Sequence, residues 1–198
     1  MADEWNDEKQ LIEAAQAGDQ PALTYLFNCH FSRLYRYMLA RTGNTHDAED
    51  MAQEVFLRVL DALPRYEWRD VPFTAWLFRI AHNIVVSRYR RNGLAASRSA
   101  PFSDDLAVPA MGPEQLVEAR LSMEQALKAA ERLAPVQRQV IELRLIAGLT
   151  VAETAQVLGK TENNVKVVQH KAIARLRRML VVNDGEREQR RDVVDPAR

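Results

Sequence analysis

One cysteine, Cys29, stands among 198 residues. It can form neither an internal disulfide nor a multi-thiolate metal site. Glycine and proline are scarce, at 7 and 8 residues, which excludes collagen-like and low-complexity classes. No run of about 18 apolar residues occurs, so nothing is expected to span a membrane. Net charge is also lacking: 27 Lys and Arg face 27 Asp and Glu. That balance excludes a uniformly basic nucleic-acid coat and leaves local patches open. The opening residues, Met1-Ala-Asp-Glu-Trp-Asn-Asp-Glu, are acidic, whereas a secretory signal starts basic and turns apolar. The expectation is a cytoplasmic protein of a reducing compartment. What is present is ordinary for a globular chain, 47% apolar and 27% charged, at a length that suits one domain or two small ones.

The neutral total hides a pattern. Residues 1–22 hold one Lys against six acids. Residues 65–92 hold six Arg against Glu67 and Asp70, and residues 161–180 hold five bases against Glu162. Two basic segments therefore lie far apart in the chain. On charge alone they are either solvated helix faces or nucleic-acid contacts.

Apolar spacing is helical throughout. Leu11, Ile12 and Ala15 mark a short helix that stops near Gly18. Asp19 caps a longer one, with Pro21 in its first turn and Gly43 as its left-handed stop. Thr45 or Asp47 starts the next, with Ala48, Met51, Ala52, Val55, Phe56, Val59 and Leu60 on its apolar side, closed by Pro64. Residues 65–72 read as a loop, and Phe73 to about Arg91 as another helix. Residues 93–113 show no periodicity and carry three prolines, two glycines and three serines. That is a linker, and it separates helical domains at 1–92 and 114–180. Residues 181–198 form a polar tail.

Residues 150–180 carry a helix-turn-helix pattern. Thr150 and Glu153 have capping-box spacing. Ala155 and Leu158 point inward, and Gly159 follows four residues after Ala155, as a tight interhelical turn needs. Thr161 caps a second helix with Val165, Val168, Ala172 and Leu176 as its buried stripe. The opposite face presents Asn163, Asn164, Lys166, Gln169, His170, Lys171, Arg175, Arg177 and Arg178. Amides near the start can read base edges in a major groove, and the later cations suit phosphates.

Two features of the amino-terminal half go beyond folding. Asp47, Asp50 and Glu54 lie on neighbouring helical turns, with Gln53 beside them. The helix dipole favours such acids. A metal site is not expected, because His46 is read as lying off that face and no His-Glu pattern is present. The second feature runs from Tyr66-Glu-Trp68-Arg69-Asp70-Val-Pro72 into Arg88-Tyr-Arg90-Arg91. Aromatics interleaved with arginines suit unstacked bases, since rings stack on bases while guanidinium groups bind phosphate. Trp68 is either a base-stacking residue or an anchored surface residue.

Asp-Ala-Glu-Asp-Met-Ala-Gln-Glu-Val-Phe (47–56), Pro-Phe-Thr-Ala-Trp-Leu-Phe-Arg-Ile-Ala-His-Asn (72–83) and the helix-turn-helix, in that order, resemble an extracytoplasmic-function sigma factor of the sigma-70 family over residues 8–180. The resemblance implies an all-α fold: a region 2 bundle and a region 4 helix-turn-helix joined by a linker. It implies a non-enzymatic alternative sigma factor without metal or cofactor, with roles in stress response. Its partners would be core RNA polymerase (the largest subunit's clamp coiled coil, and the flap), promoter DNA and an anti-sigma factor. Asp47, Asp50, Gln53 and Glu54 match the polymerase-binding segment. Trp68, Arg69, Asp70, Arg79, Asn83, Ser87 and Arg88 match the segment that captures and opens the −10 element. Glu162, Asn163, Asn164, Lys166, Gln169, His170, Lys171 and Arg175 match the −35 reader. The loop departs from the common Phe-Arg-Gly-Asp, reading Glu67-Trp68-Arg69-Asp70, so its base preference is its own. Two other classes compete: a stand-alone helix-turn-helix regulator with a sensing domain, and a helical hydrolase. A sensor needs neither the acidic helix nor the aromatic-arginine loop, and no nucleophile-base pair supports a hydrolase.

Overall fold

The computed structural model describes residues 7–68, 72–91 and 129–194, with side chains described as far as residue 179. The expected linker at 93–113, together with Arg69 and Asp70, lies outside the described residues. Every regular element described is helical. In order these are α1 (Glu8–Gln16), α2 (Gln20–Thr42), α3 (Thr45–Ala62), a 3₁₀ turn (Leu63–Arg65) and α4 (Phe73–Arg91). Then come α5 (Pro135–Ile141), a π turn (Glu142–Ile146), α6 (Val151–Leu158) and α7 (Glu162–Val194).

Local chemistry sets most of these bounds. Asp19 caps α2 by accepting from the Ala22 amide at 2.8 Å, and Gly43 ends it at a φ of 68°. That left-handed turn is one a side chain would strain. Helix α3 starts at Thr45, one of the two expected starts, and Asn44 caps it, accepting from the Asp47 amide at 3.0 Å. The helix past residue 180 is a departure, since α7 continues to Val194 where a polar tail was expected. Glu, Arg and Gln, which recur there, are good helix formers even without a face to bury.

The chain divides into two compact units, Met1–Ser103 with Glu142–Glu162, and Asp104–Ile141 with Asn163–Arg198. Residues 142–162 thus group with the amino-terminal helices. In the first unit α2 is central, packing on α1, α3 and α4. Leu34, Tyr37, Met38, Val55, Leu77 and Phe78 are wholly buried there, and Leu143, Ala147, Leu149 and Ala155 join that core. Full burial of each large apolar side chain is worth about 1.5–3 kcal/mol. In the second unit Ala130, Leu133, Ile141 and Ala172 form a small core with Ile173 and Leu176 against it.

Candidate polymerase and nucleic-acid interfaces

Helix α3 turns Ala48, Met51, Ala52, Val55 and Val59 inward, which sends Asp50, Gln53, Glu54 and Leu57 to the opposite side. The four acidic-face candidates are not equivalent. Asp50 and Gln53 are exposed. Asp47 holds Arg88 at 2.8 Å, and Glu54 holds Arg58 at 2.7 Å. His46 Nε2 lies 3.9 Å from Asp50, so it shares that face after all. The i, i+4 spacing places it there, and the expectation that it lay off the face is corrected. Among the described residues no group of three or more His, Cys, Asp or Glu could hold a metal.

An aromatic ridge borders the acids. Phe27 meets Phe31 at 4.9 Å and Phe56 at 4.5 Å between ring centroids. Phe27, Leu57 and Leu60 remain 39%, 63% and 47% exposed. Leu60 was expected on the buried side and is not. The Phe27–Phe31–Tyr35 spacing along α2 was the available signal for this ridge.

The loop after α3 is pinned from an unexpected quarter. The Gln16 side-chain amide donates to the carbonyls of Leu63 and Tyr66 at 2.9 and 2.7 Å. Tyr66, Phe73 and Trp76 then form an aromatic cluster with centroids 4.7–5.9 Å apart. A cavity of about 480 Å³ opens beside it, lined by Arg65, Tyr66, Glu67, Ala75, Trp76, Arg79 and Gln156. Trp68 is exposed and does not line it. Arg79, Asn83 and Ser87 are exposed at four-residue intervals along α4, so they share a face. Arg88 instead turns to Asp47 and is half-buried.

Beneath that face α4 is anchored by buried polar groups. Tyr37 Oη lies 3.2 Å from His82 Nδ1, and the Tyr89 hydroxyl donates to the Arg41 carbonyl. Burial, then the nearby Arg41 charge, lowers the His82 pKa. Burial also raises that of Tyr37. His30, under Phe73 at 5.4 Å between rings, is pushed down to about 4 by burial and then by Arg33.

In α6 the expected capping box is complete. Thr150 Oγ1 accepts from the Glu153 amide at 3.1 Å, and Glu153 Oε2 accepts from the Thr150 amide at 2.6 Å. Gly159 ends the helix at a φ of 62°. Ala155 is buried as expected, while Thr154 and Val157 rather than Leu158 complete the inward set. In α7 Val165 and Ala172 are buried, and Val168 and Leu176 half-buried, which matches the expected stripe. Glu162, Asn163, Asn164, Lys166, His170, Lys171 and Arg175 are exposed, and Gln169 is half-buried. One turn of this face offers amides and the following turns offer cations.

Residues 26–94 match Sigma-70 region 2, and residues 129–178 match Sigma-70, region 4. The ECF RNA polymerase sigma factor BldN of Streptomyces coelicolor is 35% identical over 171 residues, covering 86% of this chain and 65% of BldN. The ECF RNA polymerase sigma factor SigD of Mycobacterium tuberculosis is 34% identical over 175 residues, covering 86% of this chain and 82% of SigD. CnrH, solved in complex with the cytosolic domain of CnrY, is 27% identical with a TM-score of 0.69, covering 88% of this chain and 97% of CnrH. The sigma factor RpoE of Bartonella quintana, solved with the anti-sigma factor NepR, shares the fold at a TM-score of 0.62 and 22% identity, covering 80% of this chain and 96% of that one. The chain belongs to the extracytoplasmic-function sigma factors, and directs promoter-specific transcription initiation.

Proposed function

We propose that the two exposed faces of the first unit divide the work of initiation. Asp50 and Gln53, beside the Phe27–Phe31–Phe56 ridge, dock the clamp coiled coil of core polymerase. The face of α4 and the cavity beside Tyr66 take the −10 element. Carboxylates would steer a basic partner while the ridge supplies apolar area, the usual split between on-rate and affinity. The carrying observation is that Asp50 and Gln53 are exposed on a helix whose other side is fully packed. A partner can therefore cover them without disturbing the core.

At the second site the cavity has the size of a small-ligand pocket. Tyr66 and Trp76 offer rings for a base, and Arg65 and Arg79 offer guanidinium groups for its phosphate. Capture of an unpaired base offsets a few kcal/mol of unstacking, so opening needs no ATP. Arg69 and Asp70 belong to the same loop by sequence. The −35 element falls to α7, through Glu162, Asn163, Asn164, Lys166, Gln169, His170, Lys171 and Arg175. Docking both readers on polymerase raises their joint affinity through effective concentration.

The chain contributes no catalysis of its own in this reading, works in the cytoplasm, and is restrained by an anti-sigma factor that covers the α3 face. RpoE of Bartonella quintana was solved in complex with the anti-sigma factor NepR. The test is co-purification with core polymerase. Asp50→Arg with Gln53→Ala should abolish it while helicity by circular dichroism is unchanged, because like charges then face each other across the contact. Normal pull-down of the double variant would sink the assignment of α3.

A further inference from the structure

Among the described residues of α7, Val167 is the one large apolar side chain left exposed, at 45%. Its place on the helix is specific. Val165 and Ala172 are buried, and Val168 and Leu176 half-buried, so the packed stripe follows one side of α7. At 3.6 residues per turn Val167 stands about 200° from Val165, on the side directly away from that stripe. Asn163 precedes it by one turn, and His170 and Lys171 follow it by one turn, all three exposed. Val167 therefore lies at the centre of the outward face. Since α7 begins at Glu162, it also lies within the first two turns, the part of a recognition helix that meets base edges. Folding does not ask for a valine here. The side chain buries little, and a β-branched residue is a poorer helix former than the Lys, Gln or Arg around it.

We infer that Val167 selects a thymine in the −35 element by contact with the 5-methyl group of that base. This rests on the assignment of α7 to the −35 element above. A side chain at the centre of the reading face meets the floor of the major groove when the helix enters it. The isopropyl group of valine neither donates nor accepts. Set against guanine N7 and O6, or against the amino group of adenine or cytosine, it would strip water from a polar atom and return no hydrogen bond. The thymine 5-methyl is the one apolar group that the four bases display in the major groove. Contact with it takes apolar surface of both partners out of water. Val167 thus adds specificity without attracting phosphate, while the cations of the later turns, Lys171 and Arg175, add affinity without specificity.

The full chain with core polymerase tests this. The probe is a fluorescent duplex carrying the promoter that the wild-type holoenzyme selects from a randomised library. Each thymine of its −35 element, on either strand, is replaced in turn by deoxyuridine, which keeps every hydrogen-bonding group and loses only the methyl. Wild-type holoenzyme should lose about fourfold in affinity at one position, the worth of one buried methyl group. Val167→Ala should ignore uracil at that position and respond like wild type at all others. Its dependence on salt should match that of wild type, because no phosphate contact is lost. Indifference of the wild type to every −35 methyl would overturn the inference, and so would an undiminished fourfold loss in Val167→Ala. Arg175→Ala separates this failure from that of the underlying assignment. A flattened salt plot in Arg175→Ala, with no response to any methyl, defeats the role of Val167 alone. An unchanged salt plot with no response to any methyl removes α7 from the −35 element altogether.

Discussion

Helices α4 and α7 are both proposed to contact DNA, yet they are embedded in opposite ways. Helix α4 buries Phe73, Ala75, Leu77, Phe78, Ala81, Ile84 and Val85 and leaves a narrow polar face. Helix α7 buries Val165 and Ala172 and exposes most of the surrounding turns. The difference is what the two proposed targets would require. A flipped base needs a rigid pocket, and rigidity comes from a helix locked by its neighbours. A duplex groove needs a convex helix with nothing in front of it.

The largest test of that contrast is stability. Phe78 is fully buried, meets Tyr37 edge-on at 5.8 Å, and carries the Arg33 guanidinium over its ring at 5.9 Å. Phe78→Ala should cost about 3–5 kcal/mol. Val168→Ala, on the half-buried side of α7, should cost about 1 kcal/mol or less. Denaturant unfolding of the two variants checks the gap. Equal losses would mean that α4 is no more firmly set than α7.

Acid should loosen the first unit next. Folded His30 takes a proton only below about pH 4, against an ordinary value of 6.5. Between those values the unfolded chain binds more protons, so stability rises with pH and is lost as pH falls from 6.5 toward 4. The loss is bounded at roughly 3 kcal/mol. Arg33 and Glu153 act on the ring in opposite senses, and His82 shifts in the same direction as His30. His30→Leu should therefore reduce the slope of melting temperature against pH in that interval without abolishing it. An unaltered slope would remove His30 from the account.

Local signals were legible in the sequence and distant ones were not. Asp19, Gly43, Thr150 with Glu153, and Gly159 act within a few residues, and each stands where spacing put it. The buried stripe of α7 followed from the same periodicity. What sequence could not supply depends on packing across many residues. Examples are the Gln16 bonds to Leu63 and Tyr66, the Arg41–Glu142 pair, and the aromatic ridge assembled from α2 and α3. The π turn escaped because its sequence, Glu-Leu-Arg-Leu-Ile, has ordinary helical propensity. At the site itself the exposed face of α4 was readable, but the walls of the cavity were not. Trp76 lines it where Trp68 had been the favoured ring.

That difference sharpens into a kinetic prediction. Loss of a base-stacking ring costs roughly 1–3 kcal/mol. Trp76→Phe keeps a ring in the cavity and Trp76→Leu removes it, so promoter opening should slow in the second far more than in the first. Trp68→Ala should open promoters at close to the wild-type rate, because its side chain lies off the cavity. Permanganate reactivity of −10 thymines on a linear promoter reads the rate, and a pre-melted bubble should restore part of the Trp76→Leu defect. A larger defect in Trp68→Ala than in Trp76→Leu would move the pocket to the loop tip.

The smallest effect concerns two arginines at comparable places on the two helices. Arg175 is exposed on α7, whereas Arg88 on α4 is drawn 2.8 Å from Asp47, with the two side chains 35% and 46% exposed. A half-exposed pair contributes at most about 1 kcal/mol to stability, so its main consequence is where the Arg88 charge sits. Arg175→Ala should flatten the dependence of log affinity on log salt by about one unit, the signature of one lost phosphate contact. Asp47→Asn leaves the fold intact and releases Arg88 toward solvent, and it should steepen the same plot by up to about one unit. The measurement is holoenzyme affinity for a promoter duplex over a salt series. A flatter plot for Asp47→Asn would mean that the ion pair positions Arg88 on the DNA backbone, and that α4 presents its cations ready-set where α7 leaves them to the solvent.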